Sequence, residues 1–175
     1  DVVGCVRRTL GIKKVGHTGT LDPMATGVLP ICVGRSTRII EYLDLDLKKY
    51  RCILKLGVIT DTQDVWGEII DEKPTDTITE EAIRNAFESF HGIIDQLPPM
   101  YSAIKINGKR LYKYAREGEK VEVPTRKIFV DDLEIEDISL SEKLVTFVIK
   151  CSKGTYIRTI CQDVGDKLGC GGTLA

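Results

Sequence analysis

Gly16-His17-Thr18-Gly19-Thr20-Leu21-Asp22-Pro23-Met24-Ala25-Thr26-Gly27 holds one carboxylate in a polar turn framed by glycines and flanked by a histidine. Pro23 fixes its own φ and biases Asp22 toward extended backbone, while Gly16, Gly19 and Gly27 let the chain bend closely around a ligand. Asp-Pro alone reads as an ordinary turn, since these residues favour turns for local reasons. The whole twelve-residue string is far more specific, and it makes Asp22 a candidate for chemistry.

Working outward, Asp1 to Leu10 reads as a helix with Val2, Val3, Val6 and Leu10 on one side and Gly11 as its stop. After the loop, Val28 to Val33 predicts a buried strand, and Ser36 is the expected cap of a short helix from Thr37 to Leu43. Tyr50, Cys52, Leu54 and Leu56 alternate with Arg51, Ile53 and Lys55, which predicts a strand with a buried face. Thr79 is the expected N-cap of a helix carrying Ile83, Ala86, Phe87 and Phe90 at helical spacing and ending at Gly92. Beyond Pro98-Pro99, Ala103 to Ile106 is strand-like, Asn107-Gly108 is a turn signal, and Leu111 to Ala115 is a short basic helix. Lys127 to Ile135 and Leu144 to Cys151 predict an antiparallel pair. Thr155 is the expected cap of a last helix bearing Ile157, Cys161, Val164 and Leu168 and closing at Gly169. Strands grouped with non-repeating helices point to an α+β fold, with a mixed or antiparallel sheet flanked by helices and a projecting basic insertion. No repeat or low-complexity linker interrupts residues 1–175, so one domain is expected.

Composition narrows the function. With 175 residues, 42% hydrophobic and 29% charged, the chain has the make-up of a globular domain. No apolar run reaches the length of a membrane span, and no charged-then-apolar leader precedes the first helix, so a cytoplasmic location is expected. The six cysteines include no Cys-x-x-Cys pair and the two histidines lie far apart, which predicts neither metal nor a disulfide framework. Asp61, Thr62 and Asp64 resemble a calcium loop only superficially, because Gln63 and Val65 stand where alternating oxygen ligands are needed.

A net charge of −1 argues against a general nucleic-acid coat, but the distribution is uneven. Lys105, Lys109, Arg110, Lys113, Arg116, Lys120, Arg126 and Lys127 crowd one stretch, interleaved with Tyr112 and Tyr114 and preceded by Tyr101. A charge run is more often a solvated surface than a binding site. The interleaved aromatic rings shift this one toward RNA.

The twelve-residue loop is followed in order by Leu29-Pro30-Ile31-Cys32-Val33-Gly34, Lys49-Tyr50-Arg51, Leu56-Gly57 with Thr60-Asp61-Thr62-Gln63-Asp64, Pro99-Met100-Tyr101-Ser102-Ala103, and Cys151-Ser152-Lys153-Gly154-Thr155-Tyr156-Ile157-Arg158-Thr159. This series resembles the TruB-type tRNA pseudouridine synthases across nearly all of the chain. The resemblance implies that Asp22 is the essential catalytic aspartate, that Arg158 is its ionic partner, and that Tyr50 stacks on the flipped base and assists late proton removal from C5. It also implies that Tyr156 contacts substrate near the pocket, that His17 enters the RNA fold around the extracted base, and that Lys105, Lys109 and Arg110 belong to a mobile thumb-like insertion over the RNA. Read from the residues alone, Arg158 is a structural salt bridge on the last helix and His17 an exposed loop histidine, while Tyr50 is as readily a strand tyrosine packed in the core.

The implied reaction breaks the C1′–N1 bond of uridine 55 in the tRNA T loop, turns the uracil and joins C5 to C1′. No redox change occurs, so no cofactor is expected. The reaction needs a carboxylate, a dry pocket and a nucleotide that has left its stack. Attack of the aspartate on C1′ and glycal formation both remain open as routes. The expected partner is tRNA, with no membrane, no obligate protein partner and a monomeric state.

The same family has a guide-RNA-dependent branch. The Cys151-Ser152-Lys153-Gly154 form of the last motif and the long insertion after Tyr101 look more like its stand-alone bacterial branch. An RNA chaperone that works without chemistry and a glycoside hydrolase are the competing classes; the latter needs a second positioned carboxylate, and no motif nominates one. The family pattern includes a Lys-Pro-containing strand before the first helix. After the last motif it includes an apolar pocket residue and a C-terminal RNA-binding region. None of these lies within the sequence, so weaker tRNA affinity and reduced activity are expected of these residues alone.

Overall fold

The computed structural model describes residues 1–22, 24–43 and 47–175. The expected constraint from Pro23 lies outside the described residues. By its contacts the chain divides into two compact units, Asp1–Leu45 and Asp46–Ala175.

In the first unit, helix α1 (Val2–Leu10) ends at Gly11 in the left-handed region (φ 64°), as the sequence predicts. Strands β1 (Val15–His17) and β2 (Ile31–Val33) pair antiparallel, Val15 opposite Val33 and His17 opposite Ile31. Residues 18–30 form the loop between them, closed at its base by Thr18 N–H on Pro30 O at 3.3 Å. The expected strand from Val28 is therefore shorter: Val28 is 92% exposed and only Cys32 is buried in β2. Nor does Ser36 cap the short helix that follows. The following element is a 3-10 helix, Gly34–Tyr42, with Val33 at its N-cap and no side-chain cap. Thr37 Oγ1 bonds back to Gly34 O at 3.0 Å, a local bond that suits the tighter turn.

The second unit is built on a five-stranded sheet in the order β11-β3-β10-β9-β6, antiparallel throughout. Its strands are β3 (Leu47–Leu56), β6 (Gly92–Gln96), β9 (Arg126–Ser139), β10 (Leu144–Ser152) and β11 (Gly172–Leu174). Helices α2 (Glu80–Glu88) and α4 (Ile157–Lys167) supply the other half of the core. The alternation in β10 buries Val145, Phe147, Ile149 and Cys151 completely; in β3 it buries Cys52, Leu54 and Leu56. Ile83, Ala86 and Phe87 of α2 and Ile160, Cys161 and Val164 of α4 meet them, with the Phe87 and Phe147 rings 5.0 Å apart. The described cysteines are free thiols, and burial pushes Cys52 up to about 12, so it packs as a small apolar group.

Thr79 caps α2 as expected, its Oγ1 accepting from Ala82 N–H at 3.2 Å. The helix ends at Ser89, before Gly92, which instead opens β6 with φ 81°. Thr155 does not cap α4. Tyr156 occupies the N-cap position, and the Thr155 hydroxyl turns back to Ser152 O at 2.8 Å. A smaller hairpin pairs β4 (Val58–Thr60) with β5 (Ile69–Glu72).

The basic insertion folds as a two-residue-turn hairpin, β7 (Lys105–Ile106) and β8 (Lys109–Arg110), followed by α3 (Leu111–Glu117). Positive φ at Asn107 and Gly108 is the geometry this turn signal calls for. Close approach is decisive at Gly165 in α4, where a Cβ would lie 2.2 Å from the backbone of Gly171 and Gly172. That contact seats the helix on β11.

Candidate active site

Asp22 lies part-buried in the 18–30 loop of the first unit, where its carbonyl accepts Ala25 N–H at 2.9 Å and closes a tight turn. His17 ends β1 and is exposed. Tyr50, Tyr156 and Arg158 belong to the second unit. In β3, Tyr50 shares the face of Cys52 and Leu54, opposite Ile149 of β10, and packs part-buried against the margin of the core. Its ring is thus anchored in the core margin and not wholly enclosed.

Arg158 sits in the first turn of α4 and is only 7% exposed. Its Nη1 donates to Thr62 O at 2.9 Å and approaches Asp64 Oδ2 at 3.4 Å, while Nη2 donates to Tyr101 O at 3.2 Å. Asp64, 8% exposed, is itself fixed: Oδ1 accepts Thr62 Oγ1 at 2.9 Å and Trp66 N–H at 3.1 Å. Burying an arginine at this depth requires such compensation, because an uncompensated charge costs several kcal/mol.

The 60–67 loop is ordered by its own side chains. Thr60 Oγ1 bonds Asp64 O at 2.8 Å and reaches Thr173 at 3.1 Å. Gln63 adopts a left-handed backbone (φ 65°) and is gripped by Thr159 Oγ1 on its Oε1 at 2.9 Å. Gly67 has no room for a Cβ, which would lie 2.2 Å from Thr62 Oγ1. Asp61 accepts Glu68 N–H at 2.8 Å and the Tyr101 phenol, and that phenolic bond raises the Tyr101 pKa. These carboxylates are thus engaged by protein donors. Among the described residues no group of three or more His, Cys, Asp or Glu converges on a point that suits a metal ion.

In the insertion, Lys105 is exposed, whereas Lys109 Nζ lies between Glu117 and Glu119 and 4.5 Å from the Tyr114 ring centroid. The two glutamates raise its pKa and locally balance its charge. Arg110 and Arg116 both lie over Tyr112, at 5.9 and 5.4 Å. The basic stretch is therefore less uniformly cationic than its sequence reads.

Sequence reasoning placed Asp64 in a hydrogen-bonded loop but did not identify it as a partner of Arg158. It missed Gln96 altogether, whose buried amide bonds both main-chain groups of Tyr156. The only signal for Gln96 was its position ahead of Leu97-Pro98-Pro99.

Residues 7–157 match the TruB family pseudouridylate synthase (N terminal domain) model. The chain belongs to the TruB family. Among curated relatives, the tRNA pseudouridine synthase B of Clostridium tetani is 53% identical over 99% of this chain and 60% of its own length. That of Geotalea uraniireducens is 50% identical over 99% of this chain and 56% of its own. The chain thus spans somewhat less than two thirds of these TruB relatives. Among solved structures, a Cbf5-Nop10-Gar1 complex contains a chain 28% identical to this one, with a TM-score of 0.71 over 99% of this chain and 42% of the other. An archaeal box H/ACA sRNP Nop10-Cbf5 complex matches at 27% identity and a TM-score of 0.67, over 99% and 40%. The α+β architecture read from the sequence is the TruB family fold, and its main sheet is antiparallel.

Proposed function

We propose that residues 1–175 act as the catalytic domain of a tRNA pseudouridine synthase that converts uridine 55 of the T loop to pseudouridine. The observation that carries this reading is the Asp22 loop, set within a chain about half identical to relatives named tRNA pseudouridine synthase B. Identity to those relatives is nearly twice that to the Cbf5 chains, which favours the bacterial, stand-alone branch.

In this reading Asp22 supplies the carboxylate, either as nucleophile at C1′ or by promoting glycal formation, and the guanidinium of Arg158 supplies its counter-charge. Arginine suits that task because it is permanently charged and presents donors in a planar fork. The contacts to Thr62 O, Asp64 and Tyr101 O fix this fork before substrate arrives, which supports a role in orientation rather than recruitment. The C1′–N1 bond breaks, the uracil turns, C5 bonds to C1′, the proton on C5 leaves to solvent, and N1 takes up a proton from solvent. Atoms and electrons balance without a cofactor. Tyr50 offers its ring to the unstacked base and is suited to late proton removal from C5; a stacked base gains about 1–3 kcal/mol. Tyr156 and His17 line the extracted nucleotide, and Lys105, Lys109 and Arg110 approach the T-stem backbone. The protein works as a cytoplasmic monomer with tRNA as its partner.

The test is to incubate the full-length protein with unmodified tRNA transcripts and map pseudouridine by reverse-transcription stops. Modification confined to the T-loop uridine, and lost when that uridine is replaced by cytidine, supports the reading. Modification elsewhere overturns the assignment of position 55.

A further inference from the structure

Among the described residues, the only amide side chain in the set of largest fully buried ones belongs to Gln96, the last residue of edge strand β6, opposite Arg126 of β9. It is 2% exposed, and both of its bonds go to one residue. Nε2 donates to Tyr156 O at 3.0 Å, and Oε1 accepts Tyr156 N–H at 2.9 Å. Tyr156 is the N-cap of α4, two residues before Arg158, and no side chain caps that helix end. A two-point grip on one peptide segment removes freedom that packing alone leaves, because both a donor and an acceptor direction are fixed.

The segment that follows reinforces the grip. Pro98 and Pro99 are both buried, and Tyr101, five residues beyond Gln96, receives Arg158 Nη2 on its carbonyl. The Tyr101 phenol reaches Asp61, in the loop that provides Thr62 O and Asp64 to the same guanidinium. A proline-stiffened strap, residues 96–101, therefore holds the start of α4 at one end and the arginine fork at the other.

We propose that Gln96 is a positioning residue for the isomerisation: it acts through the Tyr156 main chain to fix the direction of the Arg158 guanidinium and the Tyr156 ring. This rests on the reading of the protein as a pseudouridine synthase. A leucine or methionine would fill the same space, and an apolar residue there would cost no desolvation of an amide. The amide is explained by the geometry it imposes. Rate depends on that geometry more than affinity does, because misplacing a group that acts on the reacting atoms by about 1 Å costs on the order of a hundredfold.

The test compares Gln96→Met, which keeps volume and removes both bonds, with Val145→Ala, a cavity in β10 remote from this strap, in the full-length protein. Single-turnover tritium release from C5-labelled tRNA gives the rate, and filter retention gives RNA affinity, both well below either variant's unfolding temperature. Gln96→Met is expected to lower the rate at least tenfold with affinity within threefold of the parent, and Val145→Ala to leave both near the parent values. A Gln96→Met rate within twofold of Val145→Ala overturns the proposal. A second readout does not depend on turnover: 15N-detected NMR of the arginine side chains, with the Arg158 signal assigned by Arg158→Lys. The restricted guanidinium rotation of Arg158 is expected to be lost in Gln96→Met and kept in Val145→Ala; unchanged rotation in both variants overturns the proposal. If the parent protein releases no tritium, the functional reading fails while the NMR comparison still decides the role of Gln96.

Discussion

Replacing Asp64 with Asn removes the charge facing Arg158 while keeping the shape of the site. The two side chains are 8% and 12% exposed, for Arg158 and Asp64 respectively, and 3.4 Å apart. At that distance and an effective dielectric near 20, their attraction is about 5 kcal/mol. The amide oxygen can still accept Thr62 Oγ1 and Trp66 N–H, and Arg158 keeps the Thr62 and Tyr101 carbonyls. Breaking a buried pair on one side costs about 3–5 kcal/mol, so with these bonds retained the expected loss is about 2–4 kcal/mol. Urea unfolding followed by far-UV circular dichroism should show a midpoint lower by about 1 M or more with an unchanged slope. Adding Arg158→Met to Asp64→Asn should cost less than the two single losses summed, because each single change already removes the Asp64–Arg158 attraction and the double variant cannot lose it twice. A loss below about 1 kcal/mol for Asp64→Asn, or simple additivity in the cycle, would refute the idea that Asp64 balances a buried Arg158.

Gly165→Ala should destabilise by at least about 3 kcal/mol despite alanine's better helix propensity, because its Cβ would sit 2.2 Å from the Gly171–Gly172 backbone; thermal unfolding is the check. Burial, with Asp166 alongside, pushes the Asp163 carboxyl up from 3.8 to about 6. The folded state then keeps a proton that the unfolded chain has released, so stability falls as pH rises from about 4 through 6. After discounting for its partial exposure, Asp163→Asn should add about 1 kcal/mol at pH 7, a Tm rise of about 2–4 °C, and nothing measurable at pH 3.5. Lys105→Ala should lower the salt dependence of T-stem-loop binding by about one ion or slightly less, whereas Lys109→Ala, whose charge Glu117 and Glu119 already balance, should leave the slope unchanged in filter-binding titrations.

What the sequence revealed followed the range of the forces involved. The β9–β10 pair and α2 were legible because alternation and a Thr79 cap are local patterns, and tertiary packing reinforced them. β11 is not, since three residues are too few for a periodic pattern and Gly172 carries little strand preference; the segment is held there by pairing with Leu56, Lys55 and Leu54. The short helix expected from Thr37 starts three residues earlier, at Gly34, and is a 3-10 helix in which Thr37 Oγ1 bonds back to Gly34 O, a distinction that periodicity does not draw. At the site, the residue types in the quoted motifs are readable, but the Asp64–Arg158 and Gln96–Tyr156 contacts are not. Asp64 and Arg158 are 94 positions apart and Gln96 and Tyr156 are 60, and no spacing rule spans such distances.

The most direct measurement of the central claim is tritium release from tRNA labelled at uridine C5, with the full-length protein and its Asp22→Asn variant compared at equal RNA occupancy. Release by the parent and none above background by Asp22→Asn, with binding retained, is the predicted result. Release by Asp22→Asn at a rate comparable to the parent would contradict the account, because the carboxylate would then not be the group on which the exchange depends.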